Sequence, residues 1–158
     1  MAFTLVALLA SPSSLRTRAQ APTIIVDRTV DAPDIAPGDG TCAMAGGGCT
    51  LRAAVQESNA HPGPDVIELP AGTYALTLIG EDDAGATGDL DATDALTVRG
   101  AGAAATVLDA SAVERAVQAP TEASLEIDAL HVVGSRSTTR RRGGAAPSRS
   151  AARSRWTG

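Results

Sequence analysis

Cys42-Ala43-Met44-Ala45-Gly46-Gly47-Gly48-Cys49-Thr50-Leu51-Arg52-Ala53-Ala54-Val55 holds the key to this chain. Two cysteines bracket a glycine-rich loop, and a periodic apolar segment starts directly after the second. Leu51, Ala54, Val55 and Ser58 fall at i, i+3, i+4 and i+7, which makes one narrow helical stripe. Arg52, Gln56, Glu57 and Asn59 are expected on the opposite, outward side. Thr50 is the expected N-cap, its hydroxyl accepting from a free backbone N–H. His61-Pro62-Gly63-Pro64 ends the helix, because proline neither donates to it nor leaves its predecessor an easy helical conformation. A helix of roughly ten residues does not stand alone in water. It must dock its stripe, and the open end of a stacked sheet is a suitable surface.

On either side the chain turns to short β-type runs. Thr23-Ile24-Ile25-Val26 reads as a first strand, and Asp31 to Gly40 as an acidic loop. After the helix come Val66-Ile67-Glu68-Leu69, a turn at Pro70-Ala71-Gly72, and an alternating run from Thr73 to Ile79 with Tyr74, Leu76 and Leu78 on one side. Gly80 to Asp94 reads as a long acidic loop. Leu96-Thr97-Val98, Thr106-Val107-Leu108, a weak Ala116-Val117 and a last segment with Leu125, Ile127, Leu130 and Val132 follow, ending at Gly134. Ile67 to Leu96 and Leu96 to Leu125 are both intervals of 29 residues. Such spacing is compatible with the turns of a solenoid, each burying its inward residues against the next. The competing small β-sandwich calls for tight hairpin signals such as Asn-Gly between equal strands. None joins adjacent strand candidates here.

At 158 residues the chain is sized for one domain. It has one Phe, one Tyr and one Trp, so its core is aliphatic, which suits a narrow stacked interior. All 13 basic residues are Arg, which with the abundant Ala and Gly marks a GC-rich genome. The 18 acidic residues all lie between Asp27 and Asp128; residues 22–135 carry 4 Arg against them, a formal charge of -14, whereas the stretch from Arg136 carries 7 Arg and no acid. Residues 1–21 read as a secretory signal peptide. They hold the apolar run Phe3 to Ala10 and a small-x-small site at Ala19-Gln20-Ala21, but Arg16 and Arg18 lie on the wrong side of the run. No other apolar run approaches the ~20 residues that span a bilayer. In an exported chain the pair Cys42 and Cys49 is most simply a disulfide, worth roughly 2.5 kcal/mol in the chain-entropy model. The alternatives are a zinc site, for which only His61 lies near, and a redox pair, which usually has a two-residue spacing.

Cys49-Thr50-Leu51-Arg52-Ala53-Ala54 resembles the Cys-Ser-Leu-Arg-Glu-Ala signature of bacterial CSLREA-domain proteins. Asn59 to Tyr74, with Ile67-Glu68-Leu69-Pro70-Ala71-Gly72-Thr73-Tyr74, is similar to that family's Ile-x-Leu-Pro-x-Gly-x-Tyr run. Gly88-Asp89-Leu90-Asp91 and Leu96 to Gly102 also resemble family segments, so the likeness covers roughly residues 23–134. It implies an all-β fold: a right-handed parallel β-helix of about three coils behind a short N-terminal capping α-helix, in a secreted or cell-surface protein. It implies no defined activity. Two departures stand out. Ala53 replaces the family Glu and removes half of a capping box, which should weaken the helix start by up to about 1 kcal/mol. The coils also stop after about three, where family members usually continue.

The residues that could carry chemistry are few. Asp89, Asp91 and Asp94 in the acidic loop are candidate calcium ligands, since clustered carboxylates supply the oxygens Ca²⁺ takes. The plain alternative is a solvated turn. Parallel β-helices host polysaccharide lyases and glycoside hydrolases, but Arg99 and Arg115 are the only cations in the expected coils, and no cation lies near Asp89–Asp94 in sequence. His131 sits in a strand, facing out or buried with a partner. The expectation is therefore a non-catalytic scaffold, adhesive or otherwise, with extracellular polysaccharide as partner and no catalytic residues or cofactor beyond calcium. The runner-up is a polysaccharide-binding or polysaccharide-cleaving enzyme. The open last coil predicts self-association. Residues 135–158 read as a disordered basic tail, as an arm for acidic ligands, or as the product of a reading-frame shift in a truncated gene. The abrupt change of composition inside a motif favours the last of these, and no nucleic-acid partner is expected.

Overall fold

The computed structural model describes residues 21–134 apart from 81, 83, 121 and 122. The expected signal peptide, Ala21 excepted, and the Arg-rich stretch 135–158 lie outside the described residues. The elements run β1 (Thr23–Ile25), α1 (Leu51–Ala60), β2 (Asp65–Leu69), β3 (Gly72–Ala75), β4 (Leu90–Asp91), β5 (Leu96–Gly100), β6 (Thr106–Asp109), β7 (Val117–Gln118), β8 (Leu125–Asp128) and β9 (His131–Val133).

The strands form three sheets, in the orders β1-β2-β5-β8, β3-β6-β9 and β4-β7, and every strand pair is parallel. From β2 onward the chain visits the first, second and third sheets in turn, then repeats that order. Parallel neighbours need long crossovers; between β1 and β2 the crossover runs through α1, and from β2 onward each crossover is the passage through the other two sheets. Among the described residues the antiparallel contact is one isolated bridge, Asp34 to Met44. A hairpin-built sandwich is therefore excluded for this part of the chain.

Register explains the composition. Ile24, Ile67, Val98 and Ile127 pair in one row across the first sheet, and Tyr74, Leu108 and Val132 in another across the second. Strands in one ladder lie about 4.8 Å apart, so equivalent aliphatic side chains stack in contact. Ile67, Leu69, Leu90, Val98 and Leu108 are at most 2% exposed, and full burial of each such side chain is worth roughly 1.5–3 kcal/mol. On the outward side Glu68, Arg99 and Asp128 follow one another, with Arg99 Nε 3.9 Å from Asp128 Oδ2.

Three details depart from the sequence reading. Leu96 does pair with Leu125, but its partner on the other side is Asp65, and Ile67 pairs with Val98. A shift of two keeps the same face inward, so alternation could not distinguish the two registers. The run from Thr73 stops pairing as a strand at Ala75, although Leu76 stays buried. The acidic loop 80–94 contains β4, whose single inward Leu90 is 1% exposed between two aspartates.

The largest correction concerns α1. Leu51, Ala54 and Val55 pack on the aliphatic core as predicted, and the helix lies against β1, β2 and β4. Its other side is not outward: Arg52, Ala53, Gln56 and Glu57 are buried as well. Residues 27–50 fold over that side and cover it with polar groups.

Candidate functional site

The side chains that shape this end of the molecule radiate from α1. Thr50 caps the helix, its Oγ1 accepting from Ala53 N–H at 3.0 Å and donating to the Ala32 carbonyl. Arg52 points into the protein. Its Nε donates to Asp31 Oδ1 at 2.6 Å and Nη2 to Asp31 Oδ2 at 3.1 Å. Nη1 donates to the carbonyls of Gly85 at 2.8 Å and Asp89 at 3.4 Å, and Nη2 to that of Gly88 at 2.8 Å. All five guanidinium N–H groups thus have acceptors, and both charged side chains are at most 1% exposed. Asp31 Oδ2 also accepts from the N–H groups of Thr77 and Leu78. Burial alone would raise the Asp31 pKa; the Arg52 guanidinium and the two amides outweigh it and hold the carboxyl below its usual range.

One helical turn on, Gln56 bridges two segments, accepting from Asp34 N–H at 2.8 Å and donating to the Ala84 carbonyl at 3.1 Å. Glu57 accepts from the amides of Gly38 and Gly40 at 2.6 and 2.7 Å. Both glycines have left-handed φ, +93° and +85°, which lets their N–H groups converge on one carboxylate. Cys42 and Cys49 stand at disulfide distance, S–S 1.95 Å, directly before the cap residue Thr50.

Below this network lies an open cleft of about 630 Å³, lined by Ile79, Asp82, Asp89, Asp91, Glu114 and Arg115 among others. Asp89 and Asp91 therefore share a cleft; Asp94 does not line it. Asp89 Oδ2 sits 3.1 Å from Arg115 Nε, a cationic partner 26 residues downstream that the sequence reading did not supply. Asp94 instead accepts from Gly63 N–H at 2.6 Å and from Ala95 N–H, and these bonds lower its pKa. Asp82 organises its own loop: Thr87 supplies hydroxyl and amide, and Ala84 and Ala86 further amides, which keep this carboxyl below its usual range. Among the described residues no group of three or more His, Cys, Asp or Glu side chains converges as a metal site would. His131 is exposed. Among the described residues no helix is long and apolar enough to cross a membrane.

Family models, curated proteins and solved structures offer no match to this chain. The geometry alone carries the functional argument. The residues that sequence reasoning missed are Asp31, Arg52, Gln56 and Glu57. One signal was present: Arg52 is one of only 4 Arg in residues 22–135 and sits in the first helical turn, where the helix macrodipole disfavours a cation.

Proposed function

We propose that this chain is the N-terminal, capped part of an exported or cell-surface right-handed parallel β-helix that acts as a non-catalytic scaffold. The observation that supports it is the combination of three parallel sheets visited in a repeating order with a helix and a polar cover closing one end. A solenoid needs such a cap where its first coil would otherwise expose apolar side chains. Two of the cleft carboxylates are already engaged, Asp82 by its loop amides and Asp89 by Arg115, which favours scaffold over catalyst. Aromatic side chains usually supply the stacking faces of sugar sites; the one aromatic among the described residues, Tyr74, is 4% exposed.

The opposite end is different in kind. Among the described residues β8 and β9 have no partner strand on their outer side, and Leu125, Ile127 and Val132 are only half-buried there. An uncovered strand edge recruits another strand, so the scaffold extends or self-associates from this end.

The test is expression of the full chain in a bacterial host, followed by fractionation and N-terminal analysis. The expected product lies outside the cytoplasm, is processed after Ala21 and carries oxidised Cys42 and Cys49. Unprocessed protein retained in the cytoplasm overturns the exported scaffold. Release of reducing ends or unsaturated products from pectin or alginate overturns the non-catalytic reading.

A further inference from the structure

Residues 34–48 cover the outer side of α1 almost without apolar anchorage: the buried residue in this stretch is Asp34. Their attachment is polar and covalent. Asp34 N–H binds Gln56, the amides of Gly38 and Gly40 bind Glu57, and Ala43 N–H binds Asp34 Oδ2 at 3.0 Å. The covalent tie runs from Cys42 to Cys49, the residue next to the helix cap. Inside its ring Gly46, Gly47 and Gly48 all have φ near +90° (91°, 89° and 91°). Glycines lose more backbone freedom on ordering than other residues, so this loop leans on its cross-link. The groups beneath it, Gln56 and Glu57, are polar and regain water when uncovered. Residues 27–33 and Cys49 are fastened separately, by Asp31 to Arg52 and by Asp27, whose Oδ1 accepts from Cys49 N–H at 2.7 Å.

We propose that the Cys42–Cys49 disulfide is a redox latch: oxidised, it ties residues 34–48 through Cys42 to Cys49 at the start of α1 and holds them shut over the helix; reduced, it lets that segment open and uncovers Gln56 and Glu57 while Cys49 and the sheets stay in place. This goes beyond the scaffold reading and does not depend on export. Opening requires a dithiol reductant. One of its thiolates attacks Cys42 Sγ, the half-buried sulfur, and Cys49 leaves as a thiolate that takes up a proton. The second thiol of the reductant then attacks the mixed disulfide, releasing Cys42 as a thiol and the reductant as its own disulfide, a two-electron transfer.

Hydrogen exchange on the full chain, with and without dithiothreitol, tests this. On reduction the protection of Gly38, Gly40 and Ala43 is expected to fall by up to about 60-fold, the chain-entropy worth of an eight-residue ring. The amides of β2, β5, Thr77 and Leu78 should keep theirs. The double variant Cys42→Ala, Cys49→Ala should show the same pattern without reductant. Unchanged protection at residues 38–43 overturns the latch. An equal fall across β2 and β5, or a double variant that does not fold, overturns it too, because the bridge then staples the whole fold.

Discussion

Arg52→Met replaces a buried guanidinium with an uncharged side chain of similar length. In the native chain the guanidinium satisfies both oxygens of Asp31 and the carbonyls of Gly85, Gly88 and Asp89. The variant leaves a buried, uncompensated carboxylate, and breaking one side of such a pair costs about 3–5 kcal/mol. Against a total stability of roughly 5–15 kcal/mol, that is a large share, and it should lower Tm by about 10–20 °C. The assay is urea denaturation of the oxidised full chain followed by far-UV circular dichroism, at several pH values. The sign with pH is diagnostic. In the native chain the lowered Asp31 pKa stabilises the fold fully above the unfolded value of 3.8, and this is lost as pH falls through the lower folded value. In Arg52→Met the main lowering partner is gone, so burial dominates and the carboxyl titrates higher. The penalty should therefore be largest at neutral pH and shrink as Asp31 protonates. A second variant, Asp31→Leu with Arg52→Met, should cost less than the two single changes added together, because no charge is left buried. A single-variant cost under about 1 kcal/mol, or a penalty that does not change between pH 7 and pH 3, refutes the reasoning.

Thr50→Ala should cost about 1–2 kcal/mol in urea midpoint experiments, since both the cap to Ala53 and the bond to Ala32 go, while Thr50→Ser should retain most of the stability. Ala53→Glu, which would restore a capping box on sequence grounds, should destabilise instead, because Ala53 is 0% exposed and a carboxylate has no room there. Asp65 has the opposite titration sign to Asp31: burial raises its pKa, His61 pulls it down and Asp94 pushes it up. Asp65→Asn should therefore raise the urea midpoint at pH 7, and the gain should vanish as pH falls through the raised folded value toward 3.8. Gly100→Ala should destabilise by about 1–3 kcal/mol, because its Cβ would meet Ala129 O, Leu130 Cβ and Thr106 Cβ at 2.4, 2.7 and 3.0 Å. A fully stable Gly100→Ala protein would mean that β5 and the Ala129–Leu130 turn do not pack in this register.

The strands and the helix were legible because each announces itself locally. Alternating aliphatics at Ile67 and Leu69, or at Leu96 and Val98, mark an inward face whatever the rest of the chain does, and Thr50 and Pro62 mark where the helix begins and ends. What was not legible depends on distance along the chain. The register between successive turns hinges on how many residues pass through the third sheet, and β4 hides there behind Asp89 and Asp91 with one inward leucine. The polar side of α1 was misassigned for the same reason. A helical wheel places Arg52, Gln56 and Glu57 away from the stripe, and water is the default neighbour of such residues. Here the neighbour is the chain itself. Asp31, Asp34, Gly38 and Gly40, which read as an acidic, glycine-rich loop, supply a carboxylate for Arg52, an amide for Gln56 and two amides for Glu57. The acids and glycines that look like marks of an unstructured loop are thus the groups that let a short helix be buried on all sides. Its stability therefore rests on polar pairing as much as on its apolar stripe, and the Arg52→Met experiment weighs the one against the other.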